Sequence, residues 1–168
     1  HGKSAYCTAL CGKEMKLFKQ HNTFEVCEQQ TGRAMKTKLI LKYAFKPDYT
    51  IKAKARLVVC GYSQIRNVDY FETYAPTTNT KVVFTMLMIA MRHQYKVATF
   101  DVSAAFLEGV NDVIQYAWIP AELCNNNKPL RVKVKGNWYG EKQGPKIWND
   151  KLDHILKTIG FSRCPSMP

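Results

Sequence analysis

Acidic side chains are scarce in this chain: 13 Asp plus Glu stand against 25 Lys plus Arg in 168 residues, a formal net charge of +12. Such an imbalance favours polyanionic partners, whether nucleic acid, nucleotide phosphates or acidic lipid. Long apolar runs are missing as well. The longest, Val82 to Met91, has ten residues and includes Thr85, which is too short to span a bilayer and too far from the N-terminus for a signal peptide. The chain therefore reads as soluble, with no membrane partner. Its six cysteines (Cys7, Cys11, Cys27, Cys60, Cys124, Cys164) are dispersed, with no CxxC pair, unlike the dense framework of a small secreted scaffold, so a reduced, intracellular protein is expected. Cys7 and Cys11 could share a helix face as metal ligands, but no second Cys/His pair of matching spacing follows and His21 and His93 stand alone. The cysteines read as small core residues. GxxxxGK[ST], GxSxG, HExxH and GxGxxG are all absent, which removes the P-loop, α/β-hydrolase, zincin and dinucleotide-fold readings at the level of motifs.

What is present suits one globular domain. Hydrophobic residues make up 46% and aromatic residues 12%, enough for a core and too many for disorder. His1 in place of an initiator Met points to a processed chain, an engineered segment or a piece of a longer reading frame. Apolar residues at helical spacing from Tyr6 to Lys19, broken by Glu14, predict a helix, and Phe24 and Val26 alternate as in a half-buried strand. The most regular pattern follows. Leu39, Leu41, Tyr43 and Phe45 alternate with Lys38, Ile40, Lys42 and Ala44, and Ala53, Ala55, Leu57 and Val59 alternate with Lys52, Lys54, Arg56 and Val58. With Pro47-Asp48 as the turn, a hairpin with one buried and one cationic face is expected. That cationic face serves either solubility and edge protection or polyanion binding.

Residues 60–79 read as a loop, Val82, Val83, Met86, Leu87, Ala90 and Met91 as a helix face, and Val97 to Val102 as a short buried strand ending on Asp101. Val113 to Ile119 and Leu130 to Val134 are two more strands, separated by a loop at Asn125-Asn126-Asn127. Pro145 opens a last helix whose Ile147, Trp148, Leu152, Ile155, Leu156 and Ile159 form a core-packing stripe, with Gly160 as its stop. The order implies an α+β fold, a mixed or antiparallel sheet covered by helices. Asp101 is the informative residue. A carboxylate at the end of a core strand needs a cation, a donor or a metal, and patterning alone leaves a structural role and a metal-ligand role both open.

Four blocks carry a resemblance. Lys54-Ala55-Arg56-Leu57-Val58-Val59-Cys60-Gly61-Tyr62-Ser63-Gln64, Val68-Asp69-Tyr70-Phe71-Glu72-Thr73-Tyr74-Ala75-Pro76, Phe100-Asp101-Val102-Ser103-Ala104-Ala105-Phe106-Leu107-Glu108-Gly109 and Trp138-Tyr139-Gly140-Glu141-Lys142-Gln143-Gly144-Pro145-Lys146-Ile147-Trp148 resemble, in order, the signature blocks of copia-type retrotransposon reverse transcriptases. The likeness extends upstream to Glu14-Met15 and the 22–26 segment and downstream to the 160–166 segment.

The resemblance implies a right-hand polymerase, with residues 1–96 as fingers and connecting helix and 97–168 as partial palm. It implies Asp101 as the first catalytic aspartate and a ligand of Mg²⁺ or Mn²⁺, with the Val102 backbone carbonyl as a further ligand. Phe106 would pack beneath the sugar and exclude a 2′-hydroxyl. Lys54 and Arg56 would lie over the incoming triphosphate, Tyr139 and Gly140 would line the nucleotide and template side, and Lys38, Lys42, Lys52 and Lys142 would meet nucleic acid. The implied partners are an RNA template on a DNA primer, a dNTP, and the downstream palm, thumb and RNase H segments. The implied place is the cytoplasm, in a retrotransposon particle, or the nucleus. The chain departs from the pattern at Glu141, where an apolar residue is usual, at Cys60, where a basic one is, and at Met167, where an Asp is. The family places a Tyr-Val-Asp-Asp hairpin after a block like Ser166-Met167-Pro168, and no Asp-Asp pair occurs in this sequence. The expectation is a fragment inactive in isolation, metal-dependent only as a complete polymerase, with an exposed edge and apolar surface that favour aggregation. A non-catalytic, degenerate or domesticated module binding nucleic acid or protein is the alternative, and an unrelated basic α+β domain a third.

Overall fold

The computed structural model describes residues 5–45, 48–124 and 126–164. Pro47 of the expected turn, Asn125 of the expected loop and the 165–168 block lie outside the described residues, as do the side chains of Tyr6 and Cys7. The element order is α1 (Ala5–Gln20), β1 (Phe24–Val26), β2 (Thr37–Phe45), β3 (Ile51–Val59), α2 (Thr80–Arg92), β4 (Val110–Ile119), β5 (Leu130–Gly136) and α3 (Gly144–Thr158), with short 3₁₀ turns at Gly61–Ser63, Ala105–Glu108 and Ala121–Leu123. This is a small mixed α/β domain whose named strands all pair antiparallel.

One sheet has the order β1-β5-β4 and the other is the β2–β3 ribbon. They are joined at Met35, whose N–H donates to the Tyr116 carbonyl at 2.7 Å and whose carbonyl accepts the Trp118 N–H at 3.1 Å. That splice brings the root of the ribbon over the sheet, and the core forms there from Phe18, Met35, Leu57, Val59, Leu107, Ala117, Ile119, Val132, Val134 and Trp138. The Trp138 indole N–H is satisfied by the Thr23 carbonyl at 3.1 Å, and its ring meets Phe18 edge-on at 5.0 Å. An aromatic body with a bonded polar tip can be fully buried without leaving a donor unpaired. Each such side chain removed from water contributes about 1.5–3 kcal/mol.

The helix expected at the N-terminus packs on β3, and α3 ends as its sequence predicts. Gly160 adopts φ +94°, its N–H donates to the Lys157 carbonyl at 3.1 Å and the Phe161 N–H to the Leu156 carbonyl at 3.0 Å, the paired bonds of a Schellman stop.

Four expectations are corrected. Residues 97–102 form no strand, and Phe100 is 84% exposed. An extended segment needs a neighbour to bond its backbone groups, and no described strand lies beside this one. The apolar face of α2 buries no residue. In α3, Trp148 and Leu152 are only half-buried and Ile155 and Ile159 are exposed, so its stripe is a partial contact rather than a core, with its packing directed at the Ala105–Glu108 turn. The ribbon's apolar face is buried only at its root: Ala55, Leu57 and Val59 are covered, whereas Tyr43 and Phe45 are 65% and 78% exposed. Periodicity identifies an apolar face but not whether anything is there to cover it.

Candidate nucleic-acid interface

The ribbon pairs Lys38 with Val58, Ile40 with Arg56, Lys42 with Lys54 and Ala44 with Lys52. Directly opposed residues share a face, and every second residue returns to it, so Lys38, Lys42, Lys52, Lys54 and Arg56 all project from one side. All five side chains are exposed. Lys42 and Lys54 lie directly opposite, an arrangement of like charges that destabilises an isolated ribbon and is relieved by a bound anion.

Arg56 is the cation of this face that lies over the loop before α3. Its guanidinium lies over the Tyr139 ring, 5.4 Å from the centroid. Beneath it, Glu14 is buried and accepts the Leu57 N–H at 3.0 Å. Burial pushes the Glu14 carboxyl above its ordinary range, opposed by the Leu57 amide and by Arg56. Tyr139 is half-buried. Burial raises its phenol, Glu14 adds to the rise and Arg56 opposes it. The Phe106 ring meets Tyr139 edge-on at 6.3 Å and 81°. Phe106 reaches that position because Ala104 turns left-handed, with φ +55°, and buried Leu107 anchors the following 3₁₀ turn. From α3, Lys151 fastens the same turn through the Glu108 carbonyl at 2.6 Å and carboxylate at 2.9 Å.

Gly140 adopts φ +88°, and a β-carbon there would strike the Val59 carbonyl oxygen and approach Val58 Cγ1 to 2.5 Å. The loop therefore presses backbone to backbone on the end of β3, where the Val59 N–H donates to the Tyr139 carbonyl at 2.7 Å. Only glycine allows this approach without strain. Lys142 points elsewhere. Its ammonium lies 4.9 Å over the Tyr70 ring and 3.2 Å from the Tyr70 hydroxyl, beside an open groove lined by Arg66, Tyr70, Phe71, Glu72, Thr73 and Tyr74.

Of the residues singled out in the sequence, Arg56, Phe106, Tyr139 and Gly140 meet in one place. Lys54 stands one register step further out, and Lys38, Lys42 and Lys52 complete its face. Asp101 and Val102 are not brought into contact with that cluster. Asp101 is exposed and makes no hydrogen bond or ion pair to another described residue. Among the described residues no three His, Cys, Asp or Glu side chains gather as a metal site. A hard divalent cation requires six or more oxygens, so Asp101 with the Val102 carbonyl does not itself constitute its site.

Sequence reasoning missed two supports. Glu14 signalled itself by interrupting an apolar stripe and by standing at the upstream edge of the resemblance, neither of which gave it a role. Asp69 is a buried clasp: it accepts a forked pair from Arg33, 2.8 Å at Nη1, and the Ile65 N–H at 2.6 Å, while its carbonyl accepts from Gln115. The bond to Arg33 holds the Asp69 carboxyl below the usual carboxylate range, against the opposing effect of burial. Nothing in the spacing of Arg33, Asp69 and Gln115 reveals that they meet.

The sequence profile of the family described as "Reverse transcriptase (RNA-dependent DNA polymerase)" matches residues 21–167. The chain is 35% identical over 109 residues, 64% of its length, to the "Retrovirus-related Pol polyprotein from transposon RE1" of Arabidopsis thaliana. It is 29% identical over 159 residues, 93% of its length, to the "Retrovirus-related Pol polyprotein from transposon TNT 1-94" of Nicotiana tabacum. The chain spans only 7% and 12% of the lengths of these two relatives. No solved structure matches it. No helix among the described residues is long and apolar enough to cross a membrane. A match across residues 21–167, together with signature blocks met in order, makes this chain a member of the reverse transcriptase family, of the copia type.

Proposed function

We propose that the chain forms the fingers, about 1–96, and part of the palm, about 97–168, of an RNA-directed DNA polymerase, and that it holds the incoming dNTP and the RNA/DNA template-primer. The observation that carries this reading is Arg56 over Tyr139 on the cationic face. A guanidinium held over a ring meets phosphate at a smaller entropic cost than a free side chain would incur. Lys54 and Lys42 extend the same field along a phosphate chain, and Phe106, edge-on to Tyr139, offers a wall for the sugar. Lys142 beside Tyr70 suits the backbone and bases of a single strand.

In the complete protein Asp101 would be one carboxylate of a Mg²⁺ or Mn²⁺ site, which would supply charge stabilisation at the transferring phosphoryl group. This chain's donor set does not complete that site, so its own part is binding and orientation. The working setting is a cytoplasmic particle or the nucleus, where the remaining Pol segments are partners.

The test is binding of a labelled RNA/DNA hybrid to the chain across a salt series. Affinity should fall linearly with the logarithm of salt, as phosphate contacts release counterions, with no primer extension. Salt-independent binding, or none, defeats the reading, and Mg²⁺-dependent dNTP incorporation by these residues defeats the claim that further carboxylates are required. In the longer Pol polyprotein, Asp101→Asn should abolish synthesis and leave hybrid binding intact; surviving synthesis would refute the Asp101 assignment.

A further inference from the structure

The loop that presents Tyr139 is fixed from below by side chains the nucleotide reading leaves unused. Glu141 is 4% exposed, and Gln143 and Gln64 are each 5%. One carboxylate oxygen of Glu141 accepts the Trp138 N–H at 2.9 Å. The other accepts from the Asn111 amide at 3.0 Å and the Gln143 amide at 2.6 Å. The same Gln143 nitrogen is 3.2 Å from the Asn111 carbonyl oxygen, and the Gln143 carbonyl oxygen accepts from Gln64 at 2.9 Å. Gln64 closes the circuit by accepting the Lys142 N–H at 2.8 Å.

Three pieces of chain therefore join one network around this carboxyl group, two of them bonding it directly and the third through Gln143. Asn111 opens β4, shortly after the turn that carries Phe106. Gln64 follows β3, the strand that carries Arg56. The 137–143 loop carries Tyr139. A buried carboxylate is costly unless donors meet its oxygens, and here both oxygens are met.

Building on the nucleotide reading above, we propose that Glu141 is a positioning residue: through Asn111, Gln143 and the Trp138 amide it latches the 137–143 loop so that Tyr139 stands between Arg56 and Phe106. The groups on the carboxyl are neutral: Asn111 from β4, Gln143 at the start of α3 and the Trp138 amide from the loop, with Gln64, from the segment after β3, behind Gln143 and neutral as well. The flanking charges have other engagements, Lys142 with Tyr70 and Lys146 with Asp150 at 2.6 Å and Glu72 at 3.8 Å. Burial pushes Glu141 up to about 7, against the Asn111 and Trp138 bonds that favour the ionised form. A docked loop thus holds this proton more tightly than a released one. Docking is strongest below the ordinary carboxylate value of 4.5 and weakens as pH rises through about 7.

Amide hydrogen exchange on the full chain reads the latch at Val59, whose N–H donates to the Tyr139 carbonyl, against Met35, whose N–H donates to the Tyr116 carbonyl outside the loop. From acid to mildly alkaline pH, protection of Val59 relative to Met35 should fall about tenfold or more in the wild type. In Glu141→Gln, neutral throughout, the ratio should stay level. In Glu141→Leu, which strands three donors, it should be low at every pH. Asn111→Ala, a milder change, should move the wild-type transition to higher pH by removing a donor that favours ionisation. A level wild-type ratio, a Leu variant matching the Gln variant, or an unmoved transition in Asn111→Ala would each overturn the proposal. Adding dATP and an RNA/DNA hybrid in turn separates the two readings: if the latch behaves as described while neither ligand perturbs the NMR signals of Tyr139 and Arg56, the nucleotide reading falls and the latch does not.

Discussion

The Arg56 guanidinium lies 5.4 Å over the centroid of the Tyr139 ring, joining the cationic ribbon to the loop before α3. Arg56→Ala should weaken hybrid binding and lower the magnitude of its salt slope by about one, the signature of one lost phosphate contact. Arg56→Lys should recover the slope but not the full affinity, since an ammonium keeps the charge and loses the fork of donors. Fluorescence anisotropy across a salt series measures both, and an unchanged slope in Arg56→Ala would remove Arg56 from the interface.

Lys42 and Lys54 face each other across the ribbon. Replacing Lys42 by Thr should relieve a repulsion of a few tenths to about 1 kcal/mol and raise the melting temperature slightly, while hybrid affinity falls. Stability gained together with binding lost would identify the pair as a functional strain. If both measurements were unchanged, the opposed lysines would be mere surface charge.

Asp69 ties three segments together. Its carboxyl titrates lower in the folded chain than in the unfolded chain, so its contribution is present above the ordinary aspartate value and is lost as pH falls through the lowered one. Asp69→Asn should cost about 2 kcal/mol at neutral pH and flatten the acid limb of stability against pH. Urea denaturation at several pH values checks this, and an acid limb of unchanged steepness would refute it.

Gly140 combines φ +88° with direct contact on the end of β3. Gly140→Ala should destabilise by about 1–3 kcal/mol through the backbone alone, and further through the clash with Val59. It should also displace the Tyr139 ring from Arg56, visible as a change in tyrosine chemical shifts. A variant with wild-type stability would show that the loop can lift from β3 without penalty.

The ribbon illustrates what sequence can disclose. Alternation over 38–45 and 52–59 is sufficient to establish two strands and the shared face of Lys38, Lys42, Lys52, Lys54 and Arg56, because a period of two decides which residues share a face, while the register comes from the folded ribbon. It leaves Lys54 and Arg56 equivalent; only the docked 137–143 loop distinguishes them. The helix stop at Gly160 was legible for the same local reason. Asp101 shows the limit. Its apolar neighbours read as a buried strand, yet burial depends on a partner that no pattern within 97–102 encodes. Glu141 stood out in the sequence only as a departure from the family pattern and Asp69 only as part of a block; their partners were illegible because buried polar contacts join residues far apart in sequence.

The uncovered apolar side chains of α2, including Phe84, Met86, Met88 and Met91, should leave their mark on solution behaviour. Burial of such surface is driven mainly by entropy near room temperature and weakens on cooling. Concentrated samples of this chain should therefore turn cloudy on warming and clear again in the cold, well below any unfolding transition, and added sulfate should lower the temperature at which they cloud.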